Sequence, residues 1–228
     1  MPRSLFLGWD RGMVFFLAFL TLPTIILPAF PPSQVGQLLI SLTFALTLVF
    51  GSSATIRHRI SVYLVIGLTV TTFAADQIAD FVLPCLQPLA TVLKLACLSI
   101  LLFMTLKRVV RPGRITGCRV IGGIAGYLLI GYTWALAYQV LQQTLPGAIH
   151  FEPDSVADNL SRQPGNLVYF SFTTLTTVGY GDVHPVHAIA RSLAVAEALV
   201  GQLYLAILIA SLVGMALQAR SAKEVEEP

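Results

Sequence analysis

Charge is what this sequence has least of. Asp, Glu, Lys and Arg make up 11% of the 228 residues, where an ordinary soluble domain carries about a quarter. A deficit of that size excludes a water-soluble globule, and the 56% hydrophobic content excludes a disordered chain. The 14 Lys and Arg against 11 Asp and Glu leave a formal net charge of only +3. A nucleic-acid binder would instead gather its basic residues into a dense patch. Cysteine is nearly absent too: Cys85, Cys97 and Cys118 are scattered through apolar stretches with no CxxC spacing. That pattern favours small core or lipid-facing residues over disulfide or metal use.

What the sequence does have is long apolar runs. A transmembrane helix needs about 20 mostly apolar residues, and six such runs occur, at about 13–30, 35–56, 60–83, 86–106, 120–145 and 187–219. Pro31-Pro32, Arg57-His58-Arg59 and the basic stretch Lys107, Arg108, Arg111, Arg114 and Arg119, broken by Pro112-Gly113, mark three of the breaks. Arg3 and Arg11 ahead of the first run resemble a secretion signal, but no small-residue cleavage site precedes Pro31, so the run is kept as a helix. With both termini in the cytoplasm, Arg3, Arg11, Arg57, Arg59, the five basic residues from Lys107 to Arg119, Arg220 and Lys223 lie inside, and only Arg162 and Arg191 lie outside. This is the positive-inside bias of a multi-pass membrane protein. The outer segments carry acids instead: Asp76, Asp80, Glu152, Asp154, Asp158 and Asp182.

Chemistry concentrates between the fifth and sixth runs. Residues 146–165 are polar and turn-rich, as an exposed loop should be. Pro164-Gly165-Asn166 then starts a short helix, about half a span long, that runs into Thr177-Val178-Gly179-Tyr180-Gly181-Asp182. A half-span helix followed by Gly-x-Gly is how a chain dips into a membrane and returns, which is tolerated only where the backbone is buried in protein or lines an aqueous path. Gly179 and Gly181 take positive φ at little cost, so successive carbonyls can point the same way. Four such strands around an axis make stacked rings of oxygens able to replace the hydration shell of a cation.

The stretch Thr174-Leu175-Thr176-Thr177-Val178-Gly179-Tyr180-Gly181-Asp182 resembles the potassium-channel signature sequence, with no substitution in its Thr-Val-Gly-Tyr-Gly core. The resemblance extends over about residues 120–219. It implies a homotetramer with K+ as the permeant bound ion, coordinated by the carbonyls of Thr177, Val178, Gly179 and Tyr180, with the Thr177 hydroxyl as the innermost ring. It implies no cofactor, and as partners K+, membrane lipids and further copies of the chain, with no nucleic acid. The fold expected is an all-α integral membrane protein of six transmembrane helices, with a re-entrant pore helix and filter between the last two. Residues 1–114 form a four-helix region with a basic linker, 115–219 the pore domain and 220–228 a short cytoplasmic tail.

The shell around the filter departs from the family pattern. Many relatives place paired tryptophans where Tyr169-Phe170 stands, and some place a carboxylic acid where Thr173 stands. Tyr169 can still donate to Asp182, whereas Thr173 supplies no second carboxyl group; Thr174 and Thr176 complete the expected support. Glu197, one of the few acids inside a span, is expected against protein because a charge in lipid is costly. It either reaches the back of the pore helix near Thr173 or Thr174, in which case Glu197→Gln alters selectivity or inactivation, or is a neutral acid with a packing role. Gly201, 19 residues after Asp182, is either the hinge that relatives carry at that spacing or a helix-packing contact. In the same register Gln202, Leu205, Ile209, Val213 and Leu217 face the cavity, with Gln202 as the polar side chain under the filter.

Six spans suggest a voltage-gated plan, but a sensor needs several arginines at every third position, because one charge across 100 mV yields only about 2.3 kcal/mol. The fourth run carries one cation, Lys94, whose spacing partners Cys97 and Ile100 are apolar. A conventional voltage sensor is therefore not expected, and Lys94 is expected to pair with Asp76 or Asp80. The last nine residues leave no room for a ligand-sensing domain, which points to control by lipids, pH, internal blockers, stretch or a separate subunit. His184 and His187 flank the outer mouth, either as proton sensors or as plain boundary residues. Short loops fit a prokaryotic inner (plasma) membrane. Gly179-Tyr180-Gly181-Asp182 also satisfies the Gly-x-Gly-Asp pattern of intramembrane aspartyl proteases, but neither Asp76 nor Asp80 has the sequence context of the second acid such a site needs. An enzyme is not expected; a non-selective cation channel or a structural subunit remains as a rival.

Overall fold

The computed structural model describes residues 15–22, 42, 44–51, 59–81, 84–110, 117–152 and 164–226. Five helices carry the fold: α1 (Arg59–Phe81), α2 (Gln87–Val110), α3 (Gly117–Thr144), α4 (Pro164–Leu175) and α5 (Ala188–Glu226). A 3-10 turn, Pro84–Leu86, joins α1 to α2, where the fixed φ of Pro84 suits a helix start. Segments 15–22 and 44–51, inside the first two apolar runs, are also helical. Among the described residues three helical stretches are long and apolar enough to cross a membrane: Gln87–Val110, Arg119–Thr144 and Ala188–Met215. Arg3, Arg11, Arg57, the linker cations Arg111 and Arg114, the acids Asp154 and Asp158, and Arg162 lie outside the described residues.

Two expectations are refined. Residues 220–226 of the expected tail are helical, because α5 continues to Glu226; Arg220, Lys223 and Glu224 are good helix formers and nothing in that stretch stops the helix. The region after α3 is not wholly an exposed loop either. Ile149–Phe151 (β1) pairs antiparallel with Val183–Pro185 (β2), and Ile149 is buried at 1% exposure. The fold is thus helical with one short ribbon, which ties the segment before α4 to the segment after the Gly-Tyr-Gly sequence.

Packing falls into two clusters. Phe16, Leu20, Leu48, Leu98, Leu101 and Leu129 join the N-terminal helical segments to α2 and α3. Tyr138, Leu141, Ile149, Leu167, Phe170 and Ala190 join the end of α3 to the ribbon, α4 and the start of α5. Helix α3 belongs to both and is the spine of the molecule. Its Tyr132 hydroxyl donates to the Leu20 carbonyl at 2.9 Å, and the Gln143 side-chain amide donates to Thr91 on α2 at 3.1 Å.

Helix α5 is different. Only 6% of its apolar span is buried within the chain, against 44% of the span in α3. An apolar helix so little covered by its own chain is completed by lipid or by other protein. Helix α4, with 12 residues, is about 18 Å long at 1.5 Å per residue, roughly half the hydrocarbon thickness of a bilayer.

Candidate functional site

The segment after α4 is shaped by the way that helix ends. Val178 N–H donates to the Thr173 carbonyl at 2.9 Å and Thr177 N–H donates to the Thr174 carbonyl at 2.9 Å. These are the two bonds of a Schellman cap, whose pivot residue sits in the left-handed region. Here the pivot is Thr177, with φ of 60°. Glycine is the usual occupant, and a residue with a Cβ costs roughly 1–2 kcal/mol there. Gly179 and Gly181 follow with φ of 54° and 89°, so positive φ recurs at every second residue from 177 to 181.

That alternation sorts the backbone groups by direction. Gly179 N–H joins Val178 N–H on the Thr173 carbonyl, at 3.1 Å, and Thr176 N–H donates to the Phe172 carbonyl at 3.0 Å. The amides thus turn back onto the end of α4. Among the described residues the carbonyls of Thr177, Val178, Gly179 and Tyr180 accept no hydrogen bond, and residues 176–182 are all exposed on the single chain. Four successive carbonyls without a donor do not survive against lipid and must meet water or a cation.

Side chains brace this strand at both ends. The Tyr169 hydroxyl donates to Asp182 Oδ2 at 2.8 Å, and its ring lies 6.3 Å from the Tyr180 ring, nearly parallel to it. Burial, then the hydrogen bond to Asp182 and that residue's charge, push the Tyr169 hydroxyl up to about 12, so it stays a donor. At the inner end the Gln202 amide approaches the Thr177 hydroxyl at 3.4 Å. Thr173 and Thr176 hydroxyls bond within the helix, to Phe170 O at 3.0 Å and Phe172 O at 2.6 Å; the parts of Thr173 and Thr174 that touch the strand are their carbonyls.

Glu197 reaches α4 at Ser171, two residues before Thr173 and about one turn before Thr174. It is fully buried, with its carboxyl group between the Ser171 hydroxyl at 2.5 Å and the Tyr138 hydroxyl at 2.7 Å. Ser171 and Tyr138 are absent from the sequence expectation. Both are polar groups inside apolar helices, which need partners once buried, and that was the available signal.

Gly201 meets the end of α4. A Cβ there would collide with the Leu175 carbonyl oxygen and stand 2.9 Å from Leu175 Cδ1, so the structure gives this glycine a packing contact. Leu205, Ile209, Val213 and Leu217 are exposed along α5, as is Gln202. Lys94 pairs with Asp76 at 2.5 Å, far from the strand in sequence and surrounded by Phe44, Ala45, Thr72 and Phe73. At the other end of the strand His184 Nδ1 lies 3.1 Å from the Gly181 carbonyl, and its ring is 5.1 Å from that of its cross-strand partner His150. Of the cysteines, Cys97 is buried and Cys85 exposed, and both are free.

Residues 128–218 match the model of a family described as ion channel. Protein LctB of Geobacillus stearothermophilus is 38% identical over 84 residues, covering 37% of this chain and 60% of that protein. Protein LctB of Bacillus caldotenax is 38% identical over 84 residues, covering 36% of this chain and 61% of that protein. The chain thus spans about three-fifths of the length of these curated relatives. The stretch that matches the ion channel family, residues 128–218, holds α4, the open carbonyls and most of α3 and α5, including two of the helices long and apolar enough to cross a membrane.

Proposed function

We propose that the chain is one subunit of a homotetrameric, potassium-selective channel that passes K+ down its electrochemical gradient. The observation that carries this reading is the run of four carbonyls, Thr177 to Tyr180, left without donors on a backbone of alternating positive φ. Four chains around an axis turn that run into rings of oxygens, which replace the hydration shell of a permeant ion. The Thr177 hydroxyl adds the innermost ring.

The rest of the site supports conduction. Because the amides of Val178 and Gly179 are held by Thr173, the carbonyls are already oriented and need no reorganisation when an ion arrives. The C-terminal end of α4 directs its partial negative charge toward the space beneath, favouring a cation there. Gln202 stands at the inner end of the strand, and Leu205, Ile209, Val213 and Leu217 form an apolar path below that can gate by dewetting. The bare face of α5 supplies the surface for neighbouring subunits and lipid. The chain sits in a plasma membrane with both termini in the cytoplasm, and no enzymatic step is required. In the apolar part of α2, ahead of Lys107 and Arg108 in its last turn, the one cation is Lys94, which is paired with Asp76 and offers no gating charge for a conventional voltage response.

The test is electrical. Purified full-length protein is reconstituted in liposomes and the reversal potential is measured with K+ on one side and Na+ on the other. A reversal close to the potassium equilibrium potential is expected. Reversal near zero would make the protein a non-selective cation channel, and no current at all would leave it a structural subunit.

A further inference from the structure

Glu197, Ser171 and Tyr138 stand behind the filter rather than in it, where α5, α4 and α3 meet. Each is 0% exposed within a single chain, so bulk water does not reach them. Three oxygen–oxygen contacts link them: Tyr138 hydroxyl to Glu197 Oε2 at 2.7 Å, Ser171 Oγ to Glu197 Oε1 at 2.5 Å, and Ser171 Oγ to the Gly131 carbonyl at 2.7 Å. Every one of these distances requires a hydrogen between the two oxygens. Tyrosine and serine bring one each, and a backbone carbonyl brings none. The third hydrogen has one remaining carrier, the carboxyl group.

The directions follow from the same count. If Glu197 were ionised it would take both hydroxyl hydrogens, leaving Ser171 Oγ and Gly131 O lone pair to lone pair at 2.7 Å. With the carboxyl hydrogen on Oε2, the Tyr138 hydrogen would have no acceptor in the cluster and Ser171 would again be one short. Only a hydrogen on Oε1 satisfies all three contacts: Tyr138 donates to Oε2, Oε1–H donates to Ser171, and Ser171 donates to Gly131. Glu197 forms no ion pair among the described residues, and an unpaired carboxylate is the most costly occupant of a buried site.

We propose that Glu197 is a neutral carboxylic acid, passing hydrogen bonds one way from Tyr138 on α3 through α5 to Ser171 on α4 and back to the Gly131 carbonyl on α3, and that this hydrogen-bond chain positions the filter. The route to the filter is short. Ser171 lies two residues before Thr173, whose carbonyl holds the amides of Val178 and Gly179. The positioning role rests on the potassium-channel reading; the protonation of Glu197 does not.

The two parts have separate tests. Infrared difference spectra of purified wild type against Glu197→Gln are expected to show the carbonyl stretch of a protonated carboxyl group in the wild type alone; loss of carboxylate bands instead would overturn the assignment. The wild-type reversal potential is measured next, and a wild type that does not discriminate K+ from Na+ defeats the channel reading while leaving the infrared result standing. With a selective wild type, Glu197→Gln keeps a donor and an acceptor and should hold the permeability ratio within about twofold. Glu197→Leu, similar in volume with neither, should lower the ratio about tenfold or more. A ratio retained by the leucine variant means packing alone suffices, and a ratio lost by the glutamine variant means an ionised acid is needed; either result overturns the proposal. Should Glu197→Leu not assemble, Ser171→Ala and Tyr138→Phe each remove one hydrogen from the chain, and an unchanged ratio in both overturns it equally.

Discussion

Around Lys94 and Asp76, a charge inside the apolar helices is answered by an opposite charge, with Phe44, Ala45, Thr72 and Phe73 packed about the pair. Around Thr177, polar groups are answered by neutral hydrogen bonds, and four carbonyls are not answered at all. The first arrangement closes its region off; the second keeps a strand rigid and open. A pair such as Lys94 with Asp76 has no work left to do once formed, whereas a carbonyl without a donor is a site. The lesson is that unmet hydrogen-bonding capacity, rather than charge, sets the region around Thr177 apart from the region around Lys94.

Substitutions can separate the two halves. The largest expected effect is on conduction: Gly179→Ala places a Cβ at φ of 54°, costing roughly 1–2 kcal/mol per chain and turning carbonyls out of line. Selective current should vanish from liposomes while a folded tetramer survives size-exclusion chromatography. Lys94→Gln should do the reverse. Removing one charge of a buried ion pair costs about 3–5 kcal/mol, so yield and thermal stability should fall sharply, but the channels that do form should keep the wild-type reversal potential. Gly201→Ala falls between the regions. Its methyl group meets the Leu175 carbonyl, and overpacking of this kind costs about 1–3 kcal/mol, to be read as a lowered melting temperature accompanied by altered conductance.

The smallest effect is expected from Tyr169→Phe, which keeps the ring beside Tyr180 and loses the bond to Asp182, worth about 0.5–1.5 kcal/mol. It should alter the decay of current during sustained conduction more than the selectivity. Because the folded hydroxyl is raised from its usual 10 to about 12, the neutral donor is the stabilised form. Its contribution is complete below pH 10 and is lost as pH rises through 12. Wild-type currents should therefore show no change attributable to Tyr169 between pH 6 and pH 9, a range chosen to lie about one unit or more below its usual value.

The positive φ at residues 179 and 181 was legible in the sequence because both are glycines, and α3, α4 and α5 were legible as apolar runs of distinct length. Thr177 was not, since a threonine in the left-handed region is imposed by the cap on α4 rather than by its own preference. Contact of Glu197 with α4 was legible, but its partner there was not, because Ser171 and Thr174 lie about one turn apart on nearly the same face and only the placement of α4 along α5 decides between them. The ribbon escaped notice because Ile149-His150-Phe151 is three residues long in a polar stretch and its partner strand lies beyond α4. The ion pair was foreshadowed by a lone lysine in an apolar helix, and geometry chose Asp76 for it.

The ribbon makes the strand between α4 and β2 a gauge of fixed length. At one end Val178 N–H is clasped by Thr173; at the other the Asp182 carbonyl receives Glu152 N–H at 2.9 Å. One amino acid added or removed between these clasps would have to open one of them, pulling Val178 off Thr173 or Asp182 off Glu152. Side chains within the gauge can be exchanged without touching either clasp, whereas a change in its length cannot.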